Sequence, residues 1–165
     1  MLEWREGKPD DKPLLSQFSC ARQQRAGQRR IFPFPWEKQV QSAVRTVKPT
    51  CDAQSAILLG AHPDTGAILG VVSVAKLDLA EDGYIIEMIA VENSARSQRI
   101  GDEAMNEALQ WIANHADVRG IRTVTVVADC HRRNKRARAL LRRNKFLSAG
   151  VEGVREEWFY EFSLR

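Results

Sequence analysis

Three side chains that can take part in proton transfer stand within or beside apolar stretches of this sequence. Glu87 interrupts the branched run from Tyr84 to Val91, where a charge is costly unless it faces a cleft or has a partner. Asp129 closes a second apolar stretch, and His131 follows two residues later. Such groups can take a proton from an amine, whose pKa of about 10 leaves it protonated at neutral pH. As candidate general bases we rank Asp129 and Glu87 ahead of His131.

Both carboxylates also have a structural interpretation. Glu87 fits a solvated face of a sheet, and Asp129 fits a cap or a salt-bridge partner of the arginines that follow it. Cys130 is a weaker candidate, as an acyl-bearing nucleophile, because nothing in the sequence around it forms a recognisable catalytic dyad.

An anion site is predicted where an apolar strand turns into a helix. The strand begins at Gly83 and ends near Val91, and helical spacing of apolar residues runs from Ile100 to Ala116. The first free amides of the helix, its dipole and the side chains of Arg96 and Arg99 together attract negative charge. A cofactor that carries a diphosphate is the expected ligand.

The rest of the chain supplies the elements that must position these groups. The patterns predict strands at Leu2 to Arg5, Ser55 to Ala61, Ala67 to Leu77, Ile121 to Asp129, Phe146 to Val151 and Glu157 to Leu164. They predict helices at Pro13 to Arg25, from Pro35 to just before Pro49, and at Asn134 to Asn144, with loops at Arg22 to Arg30 and Asn114 to Gly120.

This order of elements predicts one α/β (α+β) domain over residues 1–165. Three strands in series imply antiparallel pairing, whereas the strand-helix-strand crossover after Val91 implies a parallel pair. We therefore expect a mixed central sheet of about six to seven strands flanked by about four helices.

Composition excludes several classes of protein. The chain has 165 residues, is 44 % hydrophobic and contains no apolar run of about 18 residues, so no membrane span is expected. Its first residues are too polar for a signal peptide, and three cysteines without metal or redox spacing suggest a reducing cytoplasm and no metal site. The net charge is +4, yet the segment 130–145 holds eight Arg or Lys residues and no acid. That basic segment is either a solvated face or a surface that attracts an anionic macromolecule.

Two short motifs resemble those of the GCN5-related N-acetyltransferases, the GNAT superfamily. Its phosphate loop has the pattern Arg/Gln-x-x-Gly-x-Gly/Ala, and Arg96 to Gly101 keeps the first and last positions but has Arg99 where glycine is usual. A later pattern, Asn-x-x-Ala-x-x-Leu followed by Phe, is matched by Asn134, Ala137, Leu140 and Phe146.

The resemblance implies acetyl-CoA as co-substrate and an amine as acceptor. The end of the strand that runs from Gly83 to Val91 would then pair with the pantetheine arm through Met88, Ile89, Ala90 and Val91. The pyrophosphate would be surrounded by Arg96, Ser97, Gln98, Arg99, Ile100 and Gly101. Asn134 would contact the arm, act as a helix N-cap, or do both. The resemblance also places the acceptor site beside Phe32, Phe34 and Trp36, which are otherwise core residues.

Two departures from the family pattern affect the expected chemistry. Many members have a tyrosine that protonates the departing thiolate, and this sequence has Leu141 there; Tyr160, expected near the acceptor cleft, is the substitute candidate. Without such an acid, the thiolate leaves with help from water or backbone, or the enzyme is slow, or the chemistry is lost. Arg99 is interpreted as a direct phosphate clamp, and the alternative is a loop that no longer binds the cofactor.

Three functions follow in order of preference. The first is a cytoplasmic N-acetyltransferase in which the amine of a small molecule, a protein or a charged tRNA attacks acetyl-CoA directly in a ternary complex. The second is a module of the same fold that binds coenzyme or RNA without turnover. The third is a partner subunit or homodimer that associates through Trp158, Tyr160 and Phe162 of the last strand.

Overall fold

The computed structural model describes residues 1–22 and 32–165 as eleven helices and strands around one sheet. The strands are β1 (Glu3–Glu6), β2 (Ser55–Ala61), β3 (Ile68–Lys76), β4 (Gly83–Val91), β5 (Thr123–His131), β6 (Leu147–Glu152) and β7 (Arg155–Ser163). The helices are α1 (Lys12–Gln17), α2 (Pro35–Thr46), α3 (Ile100–Val118) and α4 (Lys135–Arg143). Most of the predicted basic loop at Arg22 to Arg30 lies outside the described residues.

The sheet has seven strands in the order β1-β2-β3-β4-β5-β7-β6. Only β4 and β5 run parallel; every other neighbouring pair is antiparallel. The α3 crossover produces the parallel pair, as the strand-helix-strand order predicts. The predicted mixed sheet with about four helices is therefore confirmed.

Alternating side chains divide the interior into two cores, one on each face of the sheet. The first core lies under α3 and α4 and includes Met105 and Ile112, which are fully buried. The second core lies under α1 and α2 and includes Leu15 and Val44. On β3, Val72 belongs to the first core and Val71 to the second, so the strand separates them.

The first predicted helix is too long. α1 ends at Gln17, because the backbone turns extended at Phe18, with φ −60° and ψ 135°. The side chain of Gln41 on α2 stabilises this path: its amide donates to the Phe18 carbonyl at 2.6 Å, and its oxygen accepts from the Cys20 amide at 2.7 Å. The remainder of the predicted helix, from Gln23 to Arg25, lies outside the described residues.

Two further predictions need correction. Residues 114–118 are helical rather than a loop, because α3 continues its buried stripe to Ala116, which is fully buried. The predicted docking edge of Trp158, Tyr160 and Phe162 packs into the first core instead, and only 2 % of Trp158 is exposed. Trp158 is therefore not available to a partner chain, whereas Tyr160 and Phe162 are partly buried against the first core. None of the helices in the described part of the chain is long and apolar enough to cross a membrane.

The packing of α3 gives a direct test of the first core. We expect Ile112→Ala to lower the free energy of unfolding by about 2–5 kcal/mol, because it leaves a cavity under the helix. Val118→Ala on the same helix should change it by less than about 0.5 kcal/mol, because Val118 is 88 % exposed. Urea unfolding of both variants checks this, and equal losses would contradict the assignment of the buried face.

Candidate active site

The parallel strands β4 and β5 separate partway along their length. They pair only from Gly83 opposite Thr125 to Ile86 opposite Ala128. Beyond that point β4 continues to Val91 held by β3, and β5 continues to His131 held by β7. The two facing backbone edges have no strand partner among the described elements. Their N–H and C=O groups are therefore available to an extended ligand inserted between the strands.

A β-bulge lies at the start of this separation. Ser73 is opposite Met88, whereas the next residue, Val74, is opposite Ile86, so Glu87 is an extra residue on β4. Residues two apart on a regular strand face the same side of the sheet. The bulge reverses this, so that Ile86 packs into the first core and Met88 into the second. The Glu87 carboxylate is exposed and accepts a hydrogen bond from the Ser73 hydroxyl at 2.6 Å.

The predicted phosphate loop has an unusual backbone. After a short turn of 3₁₀ helix at Asn93–Ala95, Ser97 and Arg99 both have positive φ, at 71° and 60°. Arg99 is the N-cap residue of α3, but its side chain caps no backbone amide. Ser97, Gln98 and Arg99 are exposed, and the first turn of α3 begins directly after them. This arrangement fits an anion at the helix N-terminus.

The two arginines of the loop have different surroundings. The guanidinium of Arg96 donates to the carbonyl of Cys20 and lies 3.4 Å from Glu37 Oε1. Glu37 also pairs with Arg22 at 3.1 Å, so it joins α2 to both segments. Arg99 is 81 % exposed, and its Nε lies 3.7 Å from Asp102 Oδ2. Arg99 is therefore the freer of the two to reach a phosphate.

Asn134 caps the helix that follows β5. Its side-chain oxygen accepts from the Ala137 amide at 3.1 Å, which is the N-cap arrangement considered from the sequence. Near the start of α3, Gly101 faces Leu140 of α4. A Cβ atom added to Gly101 would lie 3.7 Å from the Leu140 side chain. The space around Gly101 would therefore admit an alanine, the residue that the resembling pattern also allows at this position.

The candidate acid–base residues separate into two sets. Asp129 Oδ2 forms a salt bridge with Arg155 Nη2 at 2.8 Å. Such a salt bridge is the structural interpretation of Asp129 that was considered from the sequence. Asp129 and Glu87 both lie on the α1/α2 side of the sheet. Tyr160 does not: its ring lies 5.4 Å from Phe146 and 5.6 Å from Phe162 in the first core. Its expected position near the acceptor cleft is corrected, because β7 turns Phe159 rather than Tyr160 to that side.

An aromatic stack that the sequence only partly indicated lies beside the end of β5. Trp36 stacks on Phe34 at 4.5 Å and on His131 at 4.6 Å between ring centroids. The guanidinium of Arg22 lies 4.2 Å above Phe34. His131 Nδ1 is 3.2 Å from the Arg133 amide, which donates to it. The neutral ring then carries its proton on Nε2, which leaves it a poor general base. Phe32 is largely exposed.

Two residues bear on the fate of a thiolate or acyl group. Leu141, which stands where the family has tyrosine, is buried in the first core. Burial, together with the nearby Glu156 carboxylate, raises the pKa of the Cys130 thiol to about 11. A protonated thiol is not a nucleophile, so this finding disfavours Cys130 as an acyl carrier. Within the described residues, no group of three or more Asp, Glu, His and Cys side chains is placed to hold a metal ion.

Comparison with known proteins identifies what this architecture is similar to. A family model described as acetyltransferase (GNAT) family matches residues 23–146. Among solved structures, a PaiA N-acetyltransferase of Thermoplasma acidophilum in complex with coenzyme A superposes with a TM-score of 0.72 at 13 % identity, over 98 % of this chain and 99 % of that chain. A GNAT-family acetyltransferase of Staphylococcus aureus gives 0.67 at 10 % identity, over 98 % and 99 %. The ribosomal-protein-S18-alanine N-acetyltransferase of Escherichia coli gives 0.62 at 15 % identity, over 99 % and 94 %. No curated protein sequence gave a match.

The backbone at Arg99 predicts an unusual response to glycine. We expect Arg99→Gly to raise the free energy of unfolding by about 0.5–1 kcal/mol, because glycine adopts positive φ without the steric cost that arginine bears. The ion pair with Asp102 is exposed and long, so its loss subtracts little. The matched control is Gln98→Gly, one residue earlier and without positive φ, which should lower stability. Urea unfolding would contradict this if both variants lost stability alike.

The pKa of Cys130 predicts slow alkylation. With a pKa of about 11, roughly one thiol in a thousand is ionised at pH 8, so iodoacetamide should label Cys130 about 100-fold more slowly than an ordinary cysteine. The labelling rate should rise as the pH approaches 11. Peptide mass spectrometry resolves Cys130 from the other two cysteines, and urea-unfolded protein is the control. Labelling of the native thiol at the unfolded rate would refute the assignment.

Proposed function

This chain belongs to the acetyltransferase (GNAT) family, and we propose that it transfers the acetyl group of acetyl-CoA to a primary amine by direct attack in a ternary complex. The observation that carries the proposal is the separation of β4 and β5 after Ile86 and Ala128, with Glu87 bulged out beside it. An open strand edge for a thioester arm and a carboxylate for the amine thus occur at one place.

The residues around the separation fit the coenzyme in two parts. The free edge of β4 at Met88, Ile89, Ala90 and Val91 offers backbone groups to an extended amide-containing arm. The positive φ angles at Ser97 and Arg99 lead into the uncapped start of α3, where Ile100 and Gly101 present their amides to a diphosphate. Arg99 adds an exposed cation, and Asn134 keeps its amide nitrogen for the arm while its oxygen caps α4. Bound acetyl-CoA supplies the activated acetyl thioester.

In this proposal Glu87 is the general base. Its carboxylate lies on the α1/α2 side of the sheet, and one oxygen is held by the Ser73 hydroxyl, which leaves the other oxygen for the acceptor amine. Asp129 is the less suitable base because it is committed to Arg155. Its part is to hold Arg155 in place. A backbone N–H of the β4 edge is placed to stabilise the oxyanion that forms on the thioester carbonyl.

The chain offers no obvious acid for the departing thiolate. Both tyrosines, Tyr84 and Tyr160, belong to the first core, and Leu141 cannot donate a proton. A thiol has a pKa of about 8.5, so its anion is a tolerable leaving group near neutral pH and takes a proton from water. We infer that solvent completes the reaction. We propose that the acetyl group passes to the amine without an enzyme-bound intermediate, because the raised pKa of Cys130 disfavours it as an acyl carrier.

The basic segment 130–145 carries more positive charge than the coenzyme phosphates require. Arg138 pairs with Glu156 at 2.6 Å, and Arg143 pairs with Asp102 at 3.1 Å. Six other cations are exposed and have no ion pair in the described part of the chain: Arg132, Arg133, Lys135, Arg136, Arg142 and Lys145. These six are the surface on which a charged tRNA would lie, if tRNA rather than a small molecule or a protein carries the amine. We place the reaction in the cytoplasm, which suits the three free cysteines.

A second function, coenzyme binding without turnover, is favoured by one specific observation. Leu141 occupies the usual tyrosine position and is 5 % exposed. Its side chain therefore offers no proton donor at that position. This module would bind acetyl-CoA as tightly as an enzyme but release no thiol.

Substitution of the base distinguishes these functions. We expect Glu87→Gln to lower kcat by about 10²- to 10⁴-fold with unchanged affinity for acetyl-CoA, because only proton removal is lost. Raising the pH should restore part of the rate, since more acceptor amine is then neutral. Thiol release and calorimetric titration of acetyl-CoA measure the two quantities. Ser73→Ala is the positioning control and should cost much less.

Two outcomes would refute the proposal. Turnover of Glu87→Gln close to the wild-type rate would remove Glu87 as the base. Tight binding of acetyl-CoA by the wild-type protein without turnover of any amine would favour the binding module instead.

A further inference from the structure

Part of the sheet beside the β4–β5 separation has no helix above it among the described elements. On the α1/α2 side the second core covers β2, β3 and β4. Over β5, β7 and β6 the same side exposes Phe159 by 37 % and Leu147 by 61 %. A cavity of about 190 Å³ lies there, with Ile85, Val127, Ala149 and Phe159 as apolar walls and Asp129 and Glu157 as its carboxylates. Ile85 precedes Glu87 by two residues on β4, so this cavity adjoins the proposed site of reaction.

The two carboxylates of the cavity face each other across neighbouring strands. Asp129 of β5 is directly opposite Glu157 of β7, an arrangement in which like charges destabilise a sheet. Arg155 neutralises Asp129 at 2.8 Å. Glu157 is exposed and has no ion pair or hydrogen bond with any described residue. One negative charge at the wall of the cavity is therefore left uncompensated by the residues that the structure describes.

The reacting amine is not the natural partner of this charge. A neighbouring carboxylate stabilises an ammonium and raises its pKa, which hinders the loss of the proton that must precede attack. Glu87 already serves that step in the proposed mechanism. A second positive group on the same acceptor, one that keeps its proton throughout, gains from Glu157 without this penalty.

We propose that the acceptor is an amine with a second positive charge and that Glu157 selects it; this rests on the proposed acetyltransferase function. The apolar walls suit the methylene spacer between the two nitrogens. The cavity volume is large enough for a short aliphatic chain. Carboxylates also repel phosphate groups at this place. The cations of the basic segment lie with α4, over the other face of the sheet, where they serve the coenzyme.

The same chemistry occurs in a small diamine and in a peptide whose second residue is basic. Cadaverine and n-pentylamine form one matched pair of acceptors, since they share a five-carbon chain and differ by one terminal ammonium. A tripeptide Ala-Arg-Ala and its citrulline analogue form the other pair, since citrulline has nearly the shape of arginine without the charge. The pair that shows the larger preference for its charged member tells whether the acceptor is a small diamine or a peptide.

The test measures the ratio of kcat/KM for the charged acceptor to that for its neutral match. Wild-type enzyme should show a ratio of about fivefold or more in at least one pair, after correction for the two equivalent amines of cadaverine, and the ratio should fall with added salt. Glu157→Gln should reduce it to near one by raising KM of the charged acceptor. Glu161→Gln, on the same face of β7 and opposite Thr125, is the control and should leave the ratio unchanged.

Each contrary result has a distinct meaning. A wild-type ratio near one in both pairs, or a ratio that Glu157→Gln leaves intact, overturns the selection by Glu157 while acetyl transfer stands. Acetylation of charged tRNA in preference to all four acceptors also overturns it. Failure of the wild-type protein to acetylate any amine would mean that the proposed function is wrong, and the inference fails with it.

Discussion

The separation of two parallel strands is the constraint on which the rest of this molecule depends. A parallel ladder loses its hydrogen bonds where the strands part, so each strand must be held from its other side. β3 holds β4 to Val91, and β7 holds β5 to His131. The bulge at Glu87 lies at the point of separation, where an extra residue bends a strand away from its former course. The bulge that marks the start of the opening thus also sets the position of Glu87 on β4.

Charge is divided between the two faces of the sheet in a way that suits two different ligands. The start of α3 and the arginines near α4 attract phosphate, whereas Glu87, Asp129 and Glu157 surround the other side of the opening. The faces are also packed separately, with Ile112 in one core and Val44 in the other. In the proposed function, a cofactor and an acceptor of opposite charge would approach from opposite sides of the sheet and meet where β4 and β5 diverge.

The sequence patterns predicted the helices and strands well, but they predicted poorly on which face of the sheet each side chain lies. Runs such as Ser55 to Ala61 and Ile121 to Asp129 are apolar enough to indicate strands on their own. The helical crossover from the strand that ends at Val91 to the strand that starts near Ile121 specifies the parallel pair. Tyr160 was expected near the acceptor because alternation gives two equivalent choices on β7, and only packing against Phe146 decides between them. The length of α1 depends on Gln41, a residue more than twenty positions away, which no local pattern includes. The bulge at Glu87 likewise depends on its register with β3.

The two arginines of the phosphate loop show why an arginine is tolerated where the family has glycine. Arg96 is occupied by the Cys20 carbonyl and Glu37, so it joins the loop to α2 and contributes less free charge than its sequence suggests. The backbone at residue 99 must still adopt positive φ, which costs an arginine about 1–2 kcal/mol. A gain in phosphate binding from one exposed guanidinium is of similar size, since charge-assisted hydrogen bonds contribute about 1.5–3 kcal/mol. If Arg99 binds the coenzyme phosphate as proposed, this binding offsets the backbone strain and supplies the cation that Arg96 does not.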